Sequence, residues 1–203
     1  SSSGNIVIQS VDAGASGVSG GLVMTTGGSS NGDSGSVSVA TGKAQVGKSG
    51  DIIYRAGTGN HGVGGALIIE SGETSDHSSG GGVSVATGPS TQTSSGQISL
   101  ETKAAGVQGV SGAMSFGSGR STAGDSGHLS MSTGEAHMGK SGMISIGVGT
   151  GNTGTGGDLI ISAGESSDAD HGGAIGIATG ASTMTSSGSL SMSTSDAGLA
   201  GVS

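Results

Sequence analysis

Two hydrophobic residues standing two positions apart, with small or polar residues on either side, recur thirteen times along the chain. Each copy reads Ser or Gly, Gly, any residue, hydrophobic, any residue, hydrophobic, any residue, small residue, and then usually Gly. The copies begin at Ser3, Ser19, Ser34, Ser49, Gly64, Gly80, Ser95, Ser111, Ser126, Ser141, Gly156, Gly172 and Ser187. The fourth column runs from Ile6 and Leu22 to Leu190, and the sixth from Ile8 and Met24 to Met192, with a hydrophobic residue at every position. Side chains two apart on a strand project to one side, so these columns predict a buried stripe. The eighth column is mostly Thr, Ser or Ala, as at Thr26, Thr41, Thr87 and Thr133. The second column is Gly in every copy.

The second half of each unit alternates more weakly. Ala44/Val46, Ala105/Val107, Ala136/Met138, Ser182/Met184 and Ala197/Leu199 set a small residue two positions before a larger one. This predicts a second short strand per unit. Helices are not expected, because the period is two and Gly is everywhere.

The spacings between copies run 16, 15, 15, 15, 16 and 15 residues, and then repeat in that order. A longer repeat of 92 residues therefore overlies the short one. Residues 19–110 match 111–202 at about half their positions without a gap, and 1–18 match 93–110. The organisation expected is one continuous array: a partial repeat over 1–18, a first six-unit repeat over 19–110 and a second over 111–202. Val202-Ser203 matches Val110-Ser111 and opens a further unit, so the chain reads as a piece of something longer.

A fixed period of this length predicts an all-β coil, a β-solenoid of about thirteen rungs with two short strands each. One rung buries too little apolar surface to offset the ordering of its own backbone. Stability would come from stacking, with hydrogen bonds running from rung to rung. At about 4.8 Å per rung the array would be a rod about 60 Å long, and six rungs would span about 29 Å. Uncapped ends would continue into more chain or another subunit.

Composition narrows the function. Gly supplies 47 of 203 residues, aromatics 1% and charged residues 10%, with a net charge of −8. The six Lys and Arg are scattered and stacking platforms are nearly absent, which argues against nucleic acid as a partner. No apolar run is long enough for a membrane helix. There is no Cys, hence no disulfide and no thiolate metal site.

Four candidate chemistries follow from particular residues. Gly42–Ser49 and Gly134–Ser141 fit the phosphate-loop pattern G-x-x-x-x-G-K-S. That chemistry needs a helix N-terminus after the loop, whereas the residues that follow Ser49 are the next unit's hydrophobic segment. Neither this motif nor the serines, none of which lies in a G-x-S-x-G elbow, predicts an enzyme or a cofactor. Asp76 with His77, and Asp168 with Asp170 and His171, are weak candidates for a cation site, since carboxylates at a corner suit Ca²⁺. Lys48 stands one unit after Asp33, and Lys140 one after Asp125, an arrangement expected to form register-setting ion pairs between rungs. Ile53, Ile68 and Ile160 occupy the fifth column, facing away from the stripe, and suggest lateral packing against a sibling rod.

The columns resemble those of parallel β-helix, or β-solenoid, repeat proteins along the whole chain. The phrases at 34–42 and 81–88 are similar in composition to long Ser/Gly/Thr repeat proteins of algae such as diatoms. That likeness implies a long secreted or surface chain. The function expected is structural: a stiff rod or filament segment of an extracellular or cell-surface fibre, with further copies of the same repeat or other fibre components as partners. The alternative is a binding module, either an ice-binding β-solenoid or an adhesin stalk. Ice binding would draw on Thr-x-Thr pairs, found at Thr91/Thr93 and Thr183/Thr185.

Overall fold

The structure, a computed structural model, describes residues 3–196, and among these no residue lies in a helix or a strand. The chain divides into two units, Ser1–Leu100 and Glu101–Ser203. The same local design is repeated within each. A hydrophobic segment, columns one to eight, is followed by a loop that bends back and closes on itself.

The bends lie at 15–16, 30–32, 45–47, 60–63, 75–78 and 91–93 in the first unit. In the second they lie at 107–108, 122–124, 137–139, 152–155, 167–170 and 183–185. Each bend falls between one hydrophobic segment and the next. Several turn on glycines in the left-handed region, such as Gly62 at φ +80° and its counterpart Gly154 at φ +77°. A side chain at such a φ would strain the backbone.

Each loop is closed by a contact between its two ends. The eighth-column residue of one repeat lies against the second-column glycine of the next, nine or ten residues on. Thr133 abuts Gly142 so closely that a Cβ there would lie 3.2 Å from its Cγ2, and at Gly157 a Cβ would lie 2.8 Å from Val148 Cγ1. The contact occurs at all twelve junctions, from Ser10 against Gly20 to Thr179 against Gly188. Gly4, with no such loop before it among the described residues, has nothing within 4 Å of where a Cβ would stand. The second-column glycine is therefore a closure residue: the missing Cβ is the space in which the loop's other end sits.

Hydrogen bonds reinforce some closures. The N–H groups of Gly81, Gly96, Gly173 and Gly188 donate to the carbonyls of Gly72, Gly88, Gly164 and Gly180, at 2.9, 3.3, 2.9 and 3.0 Å. Thr26 Oγ1 donates to the Gly35 carbonyl at 3.1 Å, and Ser71 Oγ to that of Gly81 at 2.9 Å. The two shortest bends, at 15–16 and 107–108, carry turn bonds, from Gly17 N–H to Gly14 O and from Gly109 N–H to Gly106 O, each 3.1 Å.

This arrangement corrects the all-β solenoid expected from the columns, and with it the resemblance to parallel β-helix proteins. A stacked coil needs backbone bonds between residues 15 or 16 apart. The backbone bonds among the described residues span three, eight or nine. The second strand fails for a local reason: the residues meant to form it are spent in the bends. Val46, Val107, Met138 and Met184 lie in them and are fully or nearly fully exposed. The Ala197/Leu199 pair lies outside the described residues.

The expected core is likewise replaced by an exposed stripe. No described residue is buried. Fourth-column exposure runs from 46% at Ile52 to 91% at Ile6, and the sixth column is similarly open. The chain's accessible surface is 20496 Å². A compact protein of this mass would show roughly 8,300 Å² and an extended chain about 27,000 Å². With two hydrophobic residues per fifteen or sixteen and almost no aromatics, a single copy cannot cover its own stripe.

Candidate functional site

The features repeated in every unit are the hydrophobic segment and the glycine-closed loop that separates it from the next. In columns three to eight of the described segments, no backbone N–H or C=O has a hydrogen-bond partner within the chain. Each segment thus presents two things together: a row of unsatisfied main-chain groups open to water, and two or three hydrophobic side chains.

The charged residues keep away from these segments. Of the 14 acidic and 6 basic side chains, the segments hold Asp51, Arg55, Glu70, Glu101 and Asp158, and the loops hold most of the rest. Lys48 reaches forward to both carboxylate oxygens of Asp51, at 3.0 Å each, rather than back to Asp33. The other ion pair among the described residues joins Lys103 to Glu101. Asp33–Lys48 and Asp125–Lys140 are not among them, because those pairings presuppose stacked repeats. Exposed pairs of this kind contribute about 0–1 kcal/mol.

The loop at 74–78 is the most polar. Asp76 Oδ1 accepts the Ser78 N–H at 2.8 Å and the Thr74 hydroxyl at 2.9 Å. The Ser78 backbone bond first, and then the Thr74 hydroxyl, hold the Asp76 carboxyl below its ordinary pKa by favouring the anion. In the corresponding loop, Asp168 Oδ1 accepts the Ala169 N–H at 2.8 Å, and the Asp168 N–H donates to Ser166 Oγ at 3.4 Å. These carboxylates are turn formers, satisfied by their own loops. His77, Asp170 and His171 stand close by in sequence, yet among the described residues no three such groups converge to hold a metal ion.

The phosphate-loop matches belong to the bends. Gly47 turns the first at φ +117°, Lys48 is engaged by Asp51, and no helix follows to supply N–H groups. The Thr-x-Thr pairs are turn residues as well. Ser90 Oγ shares a hydrogen bond with Thr93 Oγ1 at 3.0 Å and accepts the N–H groups of Gln92 and Thr93, at 3.3 and 2.9 Å. Ser182, Met184 and Thr185 repeat this network at the same three distances. Ile53, Ile68 and Ile160 are exposed, and no stack brings Ile53 and Ile68 together.

The described residues enclose no cavity, and they include no helix long and apolar enough to cross a membrane. Sequence reasoning missed the loop closure. Its signal was visible in the glycine column itself, invariant at a position that always follows the eighth-column residue by nine or ten. The chain matches no protein-family model, no curated protein and no solved structure. The compositional likeness to algal repeat proteins accordingly gains no support.

Proposed function

We propose that the protein is a structural repeat protein, a fibre or spacer component outside the cell or at its surface, joined through its hydrophobic segments to further copies of the same repeat. The observation that carries this reading is the thirteenfold exposed stripe, borne on segments whose backbone groups are unpaired. An open row of N–H and C=O groups beside apolar side chains is the recognised template for strand addition. Thirteen equivalent sites on one chain make association strongly multivalent. The placement outside the cell rests on the Ser/Gly/Thr-rich composition alone. Ice binding is disfavoured, since one hydroxyl of each Thr-x-Thr pair, at Thr93 and Thr185, is engaged in a turn.

The test is sedimentation velocity with negative-stain microscopy and far-ultraviolet circular dichroism over a wide concentration range. Assembly into fibres, with β-type dichroism rising alongside it, is the expected outcome. A monomer at every concentration, with an unchanging coil spectrum, would refute the proposal.

A further inference from the structure

We infer that Asn31 is a site of spontaneous covalent modification: the Gly32 nitrogen closes on the Asn31 side chain, expels ammonia and leaves an isoaspartate in the bend at 30–32. The inference stands apart from the fibre reading above and holds for a single chain in solution.

The chain has four asparagines, Asn5, Asn31, Asn60 and Asn152, followed by Ile6, Gly32, His61 and Thr153. Ring closure brings the backbone nitrogen of the following residue against the asparagine Cγ. A Cβ on that residue crowds the approach and narrows the backbone angles that allow it, and glycine imposes neither restriction. Gly32 sits at φ +141°, and among the described residues only glycines take a positive φ. The atom nearest to where its Cβ would stand is Ser29 Oγ, at 3.7 Å.

The surroundings leave both reacting groups free. Asn31 and Gly32 are exposed in the bend. Neither the Gly32 N–H nor the Asn31 side chain has a hydrogen-bond partner among the described residues. Other bends hold their amides: Asp76 takes the Ser78 N–H, and Ser90 takes those of Gln92 and Thr93. The Gly32 nitrogen can therefore lose its proton and turn without breaking a bond of the fold. The closure around it, from Thr26 Oγ1 to the Gly35 carbonyl at 3.1 Å, fixes the ends of the loop and not residue 31.

The step consumes only water. The Gly32 N–H gives up its proton, its nitrogen bonds to Asn31 Cγ, and the Cγ–Nδ2 bond breaks to release ammonia. The five-membered imide then takes up water. Opening at the Asn31 backbone carbonyl leaves the chain running through Cβ and Cγ, an isoaspartate. Opening at Cγ leaves an ordinary aspartate. Either product carries a carboxylate where an amide stood, so the net charge of −8 becomes one unit more negative. The isoaspartate also adds one carbon to the main chain inside the loop that Thr26 and Gly35 close.

The second long repeat keeps the geometry and lacks the chemistry. Its equivalent bend has Ala123 before Gly124, whose φ is +149° and whose Cβ would lie 3.8 Å from Ser121 Oγ. The modification therefore marks the first long repeat and spares the second.

Full-length chain is aged in dilute neutral buffer, and its peptides are mapped by mass spectrometry with electron-transfer fragmentation, which separates isoaspartate from aspartate. Asn31 should convert at least about tenfold faster than Asn5, Asn60 or Asn152, at a rate that rises with pH. Chain unfolded in guanidinium chloride should react within about tenfold of the native rate, because the bend withholds neither group. G32A should slow the reaction at least about tenfold. A123N should convert at residue 123 as fast as the parent chain does at Asn31, which tests the bend without disturbing its glycine. Comparable conversion at all four asparagines, a rate indifferent to pH, or a native rate more than about tenfold below the unfolded one would overturn the inference. So would a G32A chain that reacts unslowed, or an A123N chain inert at residue 123. None of these readouts depends on whether the chain assembles.

Discussion

Replacing Gly173 by alanine addresses the closure directly. A Cβ at this position would lie 3.2 Å from Gly164 N, 3.3 Å from Ala163 Cβ and 3.4 Å from Gly164 O. Two of those three atoms are backbone, so no side chain can swing aside to make room. The closure is weakly held to begin with. Bringing the ends of a nine-residue loop together costs about 2 kcal/mol of chain entropy, and the Gly173 N–H bond to Gly164 returns only about 0.5–1.5 kcal/mol. Packing of the loop ends must supply the remainder, and that packing is what the added methyl disturbs. A penalty of about 1 kcal/mol would lower the ratio of closed to open loop about fivefold. The assay is nuclear magnetic resonance: the temperature coefficient and exchange rate of the residue 173 amide, and the cross-peak between its α-proton and the Ala163 methyl. G173A should lose the cross-peak and expose the amide. G176A, whose Cβ would have nothing within 4 Å, should leave both unchanged. If the alanine at 173 keeps a protected amide and the cross-peak, the glycine column is not explained by close approach.

Two further outcomes follow from the loops. Asp76 should titrate below an ordinary aspartate, because its anion accepts the Ser78 N–H and the Thr74 hydroxyl. With the pKa depressed in the formed turn, the turn is favoured above the open-chain pKa and loses that advantage as pH falls through the lowered one; an Asp76 ¹³Cγ titration read beside the Ser78 amide shift would show both moving together, and D76N should abolish the amide's pH response. Gly154 sits at φ +77°, where a non-glycine residue costs about 1–2 kcal/mol. G154A should therefore open the 152–155 bend, seen as loss of its short-range cross-peaks, while G151A, at an ordinary φ and with nothing nearer than 3.9 Å, should not.

The period, the glycine column and the equivalence of the two long repeats were all legible in the sequence, because each is a matter of spacing. A bend in each unit was legible too, from the glycine that usually follows the eighth column. The strand pairing was not. Ala44/Val46 and Ala136/Met138 alternate for two residues each, which suits a strand and a bend equally, and Gly47 at φ +117° settles the first in favour of the bend. The ion pairs failed for a related reason: joining Asp33 to Lys48 presumed stacked neighbours, whereas Asp51, three residues from Lys48, is within reach without any stacking. The fate of the hydrophobic columns depends on how much apolar surface one chain can fold inward, a collective property that no single unit displays.

The twelve closed loops also give the chain slack. Each gathers nine or ten residues between points that touch, a length that would span about 30 Å if drawn straight. Tension along the chain would open them one after another, since each is held by its own small contact and none leans on the next. Drawn out in full, they would add on the order of 350 Å of reach. A fibre built from such chains would yield gradually under load and recover its length when the load is released.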